Sequence, residues 1–253
     1  MNEKTFFKTS DGTKLNGFLE KNKLNRNVCV IMCHGIRSNS NERGNFTELC
    51  KILNSINIDS FRFDFRGHGE SSVDFIEVSV TSMINDLEAA VEFVQKLGYS
   101  KILLLGASMG ASILPLIDYG KYTNIVGLIF WYPITMYEKT NIFTEGSINE
   151  ALEKGYIEKI NKSGRVCRLS RKLMIEVKKY KPLEKLESNV LAKLFVHGTK
   201  DEVSFLENST DASQCSLNSK VVVIEDGTHG FFDNREHFKI ALNQTINFIN
   251  NYS

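Results

Sequence analysis

The stretch Lys101-Ile102-Leu103-Leu104-Leu105-Gly106-Ala107-Ser108-Met109-Gly110-Ala111-Ser112 decides how the rest of the chain is read. A short apolar run ends in Gly-x-Ser-x-Gly, and a helix-compatible segment follows. Strand, sharp turn and helix in that order make a nucleophile elbow, which lifts a serine hydroxyl above the edge of a sheet. Gly106 and Gly110 suit positions where a side chain would collide with the neighbouring strand and helix. Taken alone the five-residue pattern is common, and a serine after a strand often only caps a helix. The partners offered elsewhere in the chain decide between the two readings.

On the N-terminal side, Lys4 to Lys8 and Lys14 to Lys21 read as strands joined by Ser10-Asp11-Gly12-Thr13, a hairpin signal. Asn27 to Cys33 is almost continuously apolar, as in a strand buried on both faces. A polar loop, His34 to Ser40, follows it. Asn45 to Ile56 has helical spacing, Asp59 to Asp64 reads as a strand, and Val80 to Leu97 as a long amphipathic helix stopped at Gly98. Beyond the elbow the reading predicts a helix to about Tyr119 and a buried strand over Ile125 to Trp131. Later strands are expected at Val190 to Val196 and Lys220 to Ile224, with a helix around Phe205 to Cys215 between them. A last helix runs from about Asn234 to Asn251. Apolar strands alternating with helices imply an α/β fold: a mostly parallel, doubly wound sheet with an antiparallel N-terminal edge.

One segment breaks this rhythm. More than fifty residues separate the strand ending near Trp131 from the one starting near Val190, with helical patterns around Asn149 to Ile160 and Leu169 to Tyr180. The division expected is a core of residues 1–136 and 187–253 and a helical lid insertion over 137–186. Residues 151–185 hold eleven Lys or Arg against four Glu, a net +7 in a chain of net +1. Lys162, Arg165, Arg168, Arg171, Lys172, Lys178, Lys179 and Lys181 carry most of it. Such a cap could steer an anionic partner, or it could be a solvated helix face balanced by acidic helices elsewhere.

With 253 residues, 42% of them hydrophobic and 24% charged, the chain is long enough for one large core. The near-zero net charge offers no case for nucleic acid. The longest apolar run, Ile125 to Ile134, is too short for a membrane span and contains Pro133. No signal-peptide pattern opens the sequence, so a cytoplasmic location is expected. The five cysteines, Cys29, Cys33, Cys50, Cys167 and Cys215, form no C-x-x-C pair, and no metal site is expected. Nothing readable sets the oligomeric state, and a dimer through the lid is one option.

A serine hydroxyl is a poor nucleophile at neutral pH unless a base lies within hydrogen-bond reach and an acid orients that base. In a fold of this kind the chain order is serine, acid, histidine. Asp201 follows a buried strand in Val196-His197-Gly198-Thr199-Lys200-Asp201, and His229 follows the last strand in Gly227-Thr228-His229-Gly230. Glu202 and Asp226 compete with Asp201 as the acid. His34, His68, His197 and His237 compete with His229 as the base, but none of them follows the last strand. His34 and His197 each precede a glycine at a strand end and could brace loops. Backbone amides of Met109 and Ile36 are placed to hold an oxyanion, and Gly35 would let the loop after the first buried strand approach closely.

These motifs together, Cys33-His34-Gly35, Asp64-Phe65-Arg66-Gly67-His68-Gly69-Glu70-Ser71, Gly106-Ala107-Ser108-Met109-Gly110, His197-Gly198-x-x-Asp201 and His229-Gly230-Phe231, resemble the α/β-hydrolase superfamily. The likeness is nearest to small bacterial serine esterases of the monoacylglycerol lipase, cinnamoyl/feruloyl esterase and serine aminopeptidase-like group. It implies the α/β-hydrolase fold, a triad of Ser108, Asp201 and His229, and an oxyanion hole from the Ile36 and Met109 amides. His34, Gly35 and Phe231 are then expected to border the substrate. No cofactor is implied. The expected activity is hydrolysis of a small-molecule ester of a short or medium acyl or aryl acid. A thioesterase, or an esterase acting on an anionic acyl carrier, is the alternative suggested by the basic lid. A non-catalytic binding protein of the same fold is the third.

Overall fold

The computed structural model describes residues 2–22, 27–71, 73–161 and 164–252. Strands β1 (Asn2–Lys8) and β2 (Lys14–Glu20) form the N-terminal hairpin; β3 (Val28–Cys33), α1 (Asn45–Ser55), β4 (Asp59–Phe63) and α2 (Val80–Lys96) follow. β5 (Lys101–Ala107), α3 (Met109–Ile113) and β6 (Ile125–Trp131) make the centre. Next come α4 (Glu145–Lys154), β7 (Tyr156–Ile160), β8 (Val166–Ser170), α5 (Arg171–Lys179) and α6 (Pro182–Glu187). The chain closes with β9 (Ala192–Gly198), α7 (Glu207–Cys215), β10 (Ser219–Ile224) and α8 (Arg235–Ile249).

The main sheet has eight strands in the order β1-β2-β4-β3-β5-β6-β9-β10. β1 pairs with β2 and β2 with β4 antiparallel, and every other pairing is parallel. β3 is buried along its whole length, which explains its unbroken apolar sequence. Its alternate residues feed two separate cores. Cys29, Ile31 and Cys33 join Ile102 and Leu104 of β5 and the apolar stripe Met83, Leu87, Val91 and Val94 of α2. Val30 and Met32 join Leu103 and Leu105, with Phe46, Leu49 and Leu53 of α1 and Phe238, Leu242 and Ile249 of α8. Each large apolar side chain so buried contributes roughly 1.5–3 kcal/mol on leaving water. The buried Trp131 indole donates to Thr245 Oγ1 at 2.9 Å, so its one polar atom is satisfied.

Two expectations are corrected. The helix after the elbow stops at Ile113 instead of running to Tyr119, and Leu114–Leu116 continue as a 3-10 turn. Pro115 lacks the amide proton that a further α-helical turn needs. The insertion is also not purely helical. Gly155, at φ 92°, caps α4 in the left-handed region, and β7 and β8 then pair as an antiparallel hairpin. Ile157 and Ile160 fit a helical face as well as a strand. Pairing wins because Ile157 lies opposite Leu169, both buried, whereas Ile160 is left exposed. Lys162, one of the basic residues counted in this segment, lies outside the described residues. Among the described residues, no helix is long and apolar enough to cross a membrane.

Candidate active site

Parallel strands put their carboxyl ends on one edge, and the motif residues collect there. Ser108 follows β5 directly, with φ 52° and ψ −122°, a backbone conformation costly for a side-chain-bearing residue. Close packing holds it. A Cβ on Gly106 would meet the Ala111 backbone at 2.5 Å, and one on Gly110 would meet the Cys33 and His34 carbonyl oxygens at 2.3 and 2.4 Å. The turn is therefore jammed between its own helix and the loop after β3. Gly35 in that loop faces Ser108, its Cβ position 3.2 Å from the Ser108 Cβ.

His229 Nε2 stands 3.1 Å from Ser108 Oγ, and His229 Nδ1 stands 2.7 Å from Asp201 Oδ2. With Nδ1–H donating to the carboxylate, Nε2 is left free to accept the serine proton. Asp201 Oδ1 accepts from the amides of Val203 and Ser204 at 2.8 and 2.9 Å, which fixes the carboxylate plane. Burial alone would raise the Asp201 carboxyl. Hydrogen bonds from His197 and His229 outweigh that and hold it well below the usual carboxylate range. The competing acids are engaged elsewhere or turned outward: Asp226 pairs with Lys200 at 2.8 Å, and Glu202 is exposed.

The other histidines sort by contact. His34 is fully buried; it accepts from the Phe65 amide at Nε2 (3.1 Å) and donates from Nδ1 to the Gly35 carbonyl (2.8 Å), tying the loop after β3 to the loop after β4. His197 donates from Nε2 to the Ser204 carbonyl and accepts from Ser209 Oγ at Nδ1, both at 2.8 Å, with Nε2 also 3.3 Å from Asp201 Oδ2. It braces the acid loop from beneath. His68 is buried, and His237 on α8 contacts Asn234, which caps that helix.

Three supporting residues escaped the sequence reading. Glu42 Oε2 accepts from the Gly35 amide at 2.9 Å, and Asn45 Nδ2 donates to the Gly230 carbonyl at 2.8 Å. Between them they anchor the loops carrying Gly35 and His229. Tyr132, directly after β6, packs edge-on to the His229 ring at 4.8 Å and to Phe231 at 5.3 Å. Its place after a buried strand, matching that of Ser108, was the available signal. None of the three residues expected to border the substrate lines the cavity at Ser108: Phe231 (1% exposed) and His34 are core residues, and Gly35 is buried against Ser108.

That cavity has a volume of about 340 Å³ and is lined by Ile36, Arg37, Arg43, Ser108, Ile142, Ile160, Asn161, Val203 and His229. Ile142, Ile160 and Asn161 belong to the segment between β6 and β9, so the insertion forms part of its wall. Ile36 and Met109 flank Gly35 and Ser108 in sequence and are buried. Among the described residues, no cluster of three or more His, Cys, Asp or Glu could hold a metal ion.

The family described as serine aminopeptidase, S33 matches residues 25–154, just over half of the chain. No curated protein matches the chain in sequence. Among solved structures, Est1E from Butyrivibrio proteoclasticus with ferulic acid bound is similar with a TM-score of 0.80 at 24% identity, over 98% of each chain. The α/β hydrolase GrgF from Penicillium sp. sh18 gives 0.82 at 15% identity, over 100% of this chain and 99% of that one. An esterase from Exiguobacterium antarcticum gives 0.74 at 21% identity, over 96% and 99%. At these identities the structural likeness is one of fold. The chain belongs to the serine aminopeptidase S33 family of hydrolases, within the α/β-hydrolase superfamily.

Proposed function

We propose that the protein is a serine carboxylesterase acting on esters of short or medium acyl or aryl acids. The observation that carries this is the unbroken relay from Ser108 Oγ through His229 to Asp201, at 3.1 and 2.7 Å. His229 takes the Ser108 proton as Oγ attacks the ester carbonyl, and the Met109 and Ile36 amides hold the oxyanion. The C–O bond to the leaving alcohol breaks as His229 returns the proton to it. Water, deprotonated by His229, then attacks the acyl-enzyme and releases the acid. Residues 137–186 serve as a lid, with the buried Ile142 shielding the acyl group from water.

The family description names an aminopeptidase, but the cavity favours an ester. An α-amino group needs a carboxylate to receive it, and the lining residues include none. Two arginines there would repel the ammonium instead. The alternative, a thioesterase, uses the same steps with a thiol leaving, and rests on the positive charge of the insertion. A p-nitrophenyl ester series, matched acyl thioesters and aminoacyl p-nitroanilides should give turnover on the esters that Ser108→Ala abolishes. A fluorophosphonate probe should label Ser108 in the folded protein. Failure of both results would leave only a binding role for the pocket.

A further inference from the structure

A second cavity, of about 390 Å³, adjoins the one at Ser108 and shares Arg37, Arg43 and Asn161 with it. Its far side carries Arg165, from the turn of the β7–β8 hairpin, and His68. Among the described residues, no carboxylate lines it. Arg62, Arg66, Arg168 and Arg235 each face an acidic partner. Arg37, Arg43 and Arg165 have none among the described residues. Among the described residues Arg37 donates only to the Ile160 carbonyl, at 3.3 Å, and Arg43 stacks over the Phe232 ring at 4.6 Å.

Other polar atoms here are also unsatisfied. Arg37 Nε, Ser38 Oγ and His68 Nε2 are all buried without a partner among the described residues, and all three residues line this cavity. His68 is 1% exposed, and its Nδ1 donates to the Arg66 carbonyl at 2.9 Å. Nothing in the lining neutralises the three guanidiniums. The Cys167 thiol is pushed up by burial and stays protonated, and burial beside His34 pushes His68 down to about 3, so it stays neutral. Three like charges around one space, with the unfilled Arg37 Nε–H and Ser38 hydroxyl as donors beside them, repel one another until an anion enters, while the unprotonated His68 Nε2 is an acceptor.

We propose that this cavity is an anion-binding subsite, and that the substrate is an ester carrying a carboxylate or phosphate group that Arg37, Arg43 and Arg165 receive. This deepens the esterase reading and rests on it. The basic residues that select the substrate are then these three. Lys178 of the insertion instead lines a different cavity, beside Phe143 and Ile148. Arg37 and Arg43 stand in both cavities, so the anionic group and the scissile carbonyl belong to one molecule. The anion can lie on the acid or on the alcohol part, and the two are separable by experiment.

The test compares two substrate pairs. Mono-p-nitrophenyl glutarate is set against p-nitrophenyl pentanoate for the acid arm. 4-(Phosphonooxy)phenyl butyrate is set against 4-methoxyphenyl butyrate for the alcohol arm. In one arm the anionic member should have the higher kcat/KM at low salt. Arg165→Gln and Arg37→Gln should each lower that anionic-to-neutral ratio at least tenfold, while Lys178→Gln leaves it unchanged. Ratios that stay put in both arms would overturn the subsite. If no ester is turned over, the esterase reading fails, and titration calorimetry of Ser108→Ala with glutarate and with inorganic phosphate still decides the subsite. Binding that Arg165→Gln abolishes supports it, and no binding of either anion overturns it.

Discussion

Replacing Asp201 by Asn should silence Ser108 through a proton on the wrong nitrogen. The Val203 and Ser204 amides both donate to Asp201 Oδ1. An asparagine at this position must offer its amide oxygen there, or two buried N–H groups lose their acceptor at about 1–3 kcal/mol each. The amide NH2 then faces His229 Nδ1, where the carboxylate oxygen stands at 2.7 Å. Nδ1 has to accept, so the proton moves to Nε2 and points at Ser108 Oγ. A protonated Nε2 cannot act as base, and kcat should fall by roughly 10³–10⁴-fold, about 4–5.5 kcal/mol of activation free energy. The assay is p-nitrophenyl butyrate hydrolysis at pH 7, with the rate of fluorophosphonate labelling alongside. The fold should survive, because the amide oxygen keeps both backbone bonds. Stability should shift at acid pH. The folded carboxyl titrates below its unfolded value, so its contribution is complete above about pH 4 and is lost as pH falls through the folded value. The substitution removes that acid-range slope. An Asp201→Asn protein that keeps a tenth or more of the wild-type rate, or labels as fast, would refute the tautomer argument.

Gly110→Ala drives a methyl into the Cys33 and His34 carbonyls at 2.3 and 2.4 Å, displacing the loop that carries Gly35 and Ile36. We expect activity to drop on the order of 10²-fold or the protein to fail to fold; Gly146→Ala, with open space around it, should be harmless in the same hydrolysis assay. Asp86 is fully buried and accepts from the Arg66 amide, Nε and Nη2 at 2.9, 2.9 and 2.6 Å. Asp86→Ala should cost about 3–5 kcal/mol in urea unfolding, and Asp86→Leu combined with Arg66→Met should recover most of it. For His68 the unfolded chain takes up a proton between about pH 6.5 and 3 that the folded chain refuses. Stability therefore falls as pH drops through that window, by up to ~1.4 kcal/mol per pH unit. His68→Phe should flatten urea midpoints across the window, and an unchanged slope would count against the burial of a neutral imidazole.

Most of the frame was legible in the chain because its signals are local. Buried parallel strands need unbroken apolar runs, and β3 and β5 have them. The elbow needs small residues around Ser108, and Gly106 and Gly110 supply them. The β7–β8 hairpin was missed because Ile157 and Ile160 satisfy two periodicities, and only the pairing partner Leu169 separates them. Pro115, which stops the helix after the elbow, is by contrast a local signal that the sequence carries. Glu42 and Asn45 were not legible, since their value lies in reaching Gly35 and Gly230, the latter far away in the chain.

The sequence by itself determined the alternation of strands and helices, the parallel sheet and the candidate nucleophile, base and acid at strand ends. Backbone propensity and side-chain periodicity act over a few residues, and those features need nothing more. Only the tertiary structure decided that Asp201, and not Asp226 or Glu202, meets His229, and that Phe231 is core. It also decided that Arg37, Arg43 and Arg165 border one space next to Ser108. Angstrom-scale distances between distant side chains depend on strand order and on loops pinned by buried hydrogen bonds, and no local pattern encodes them.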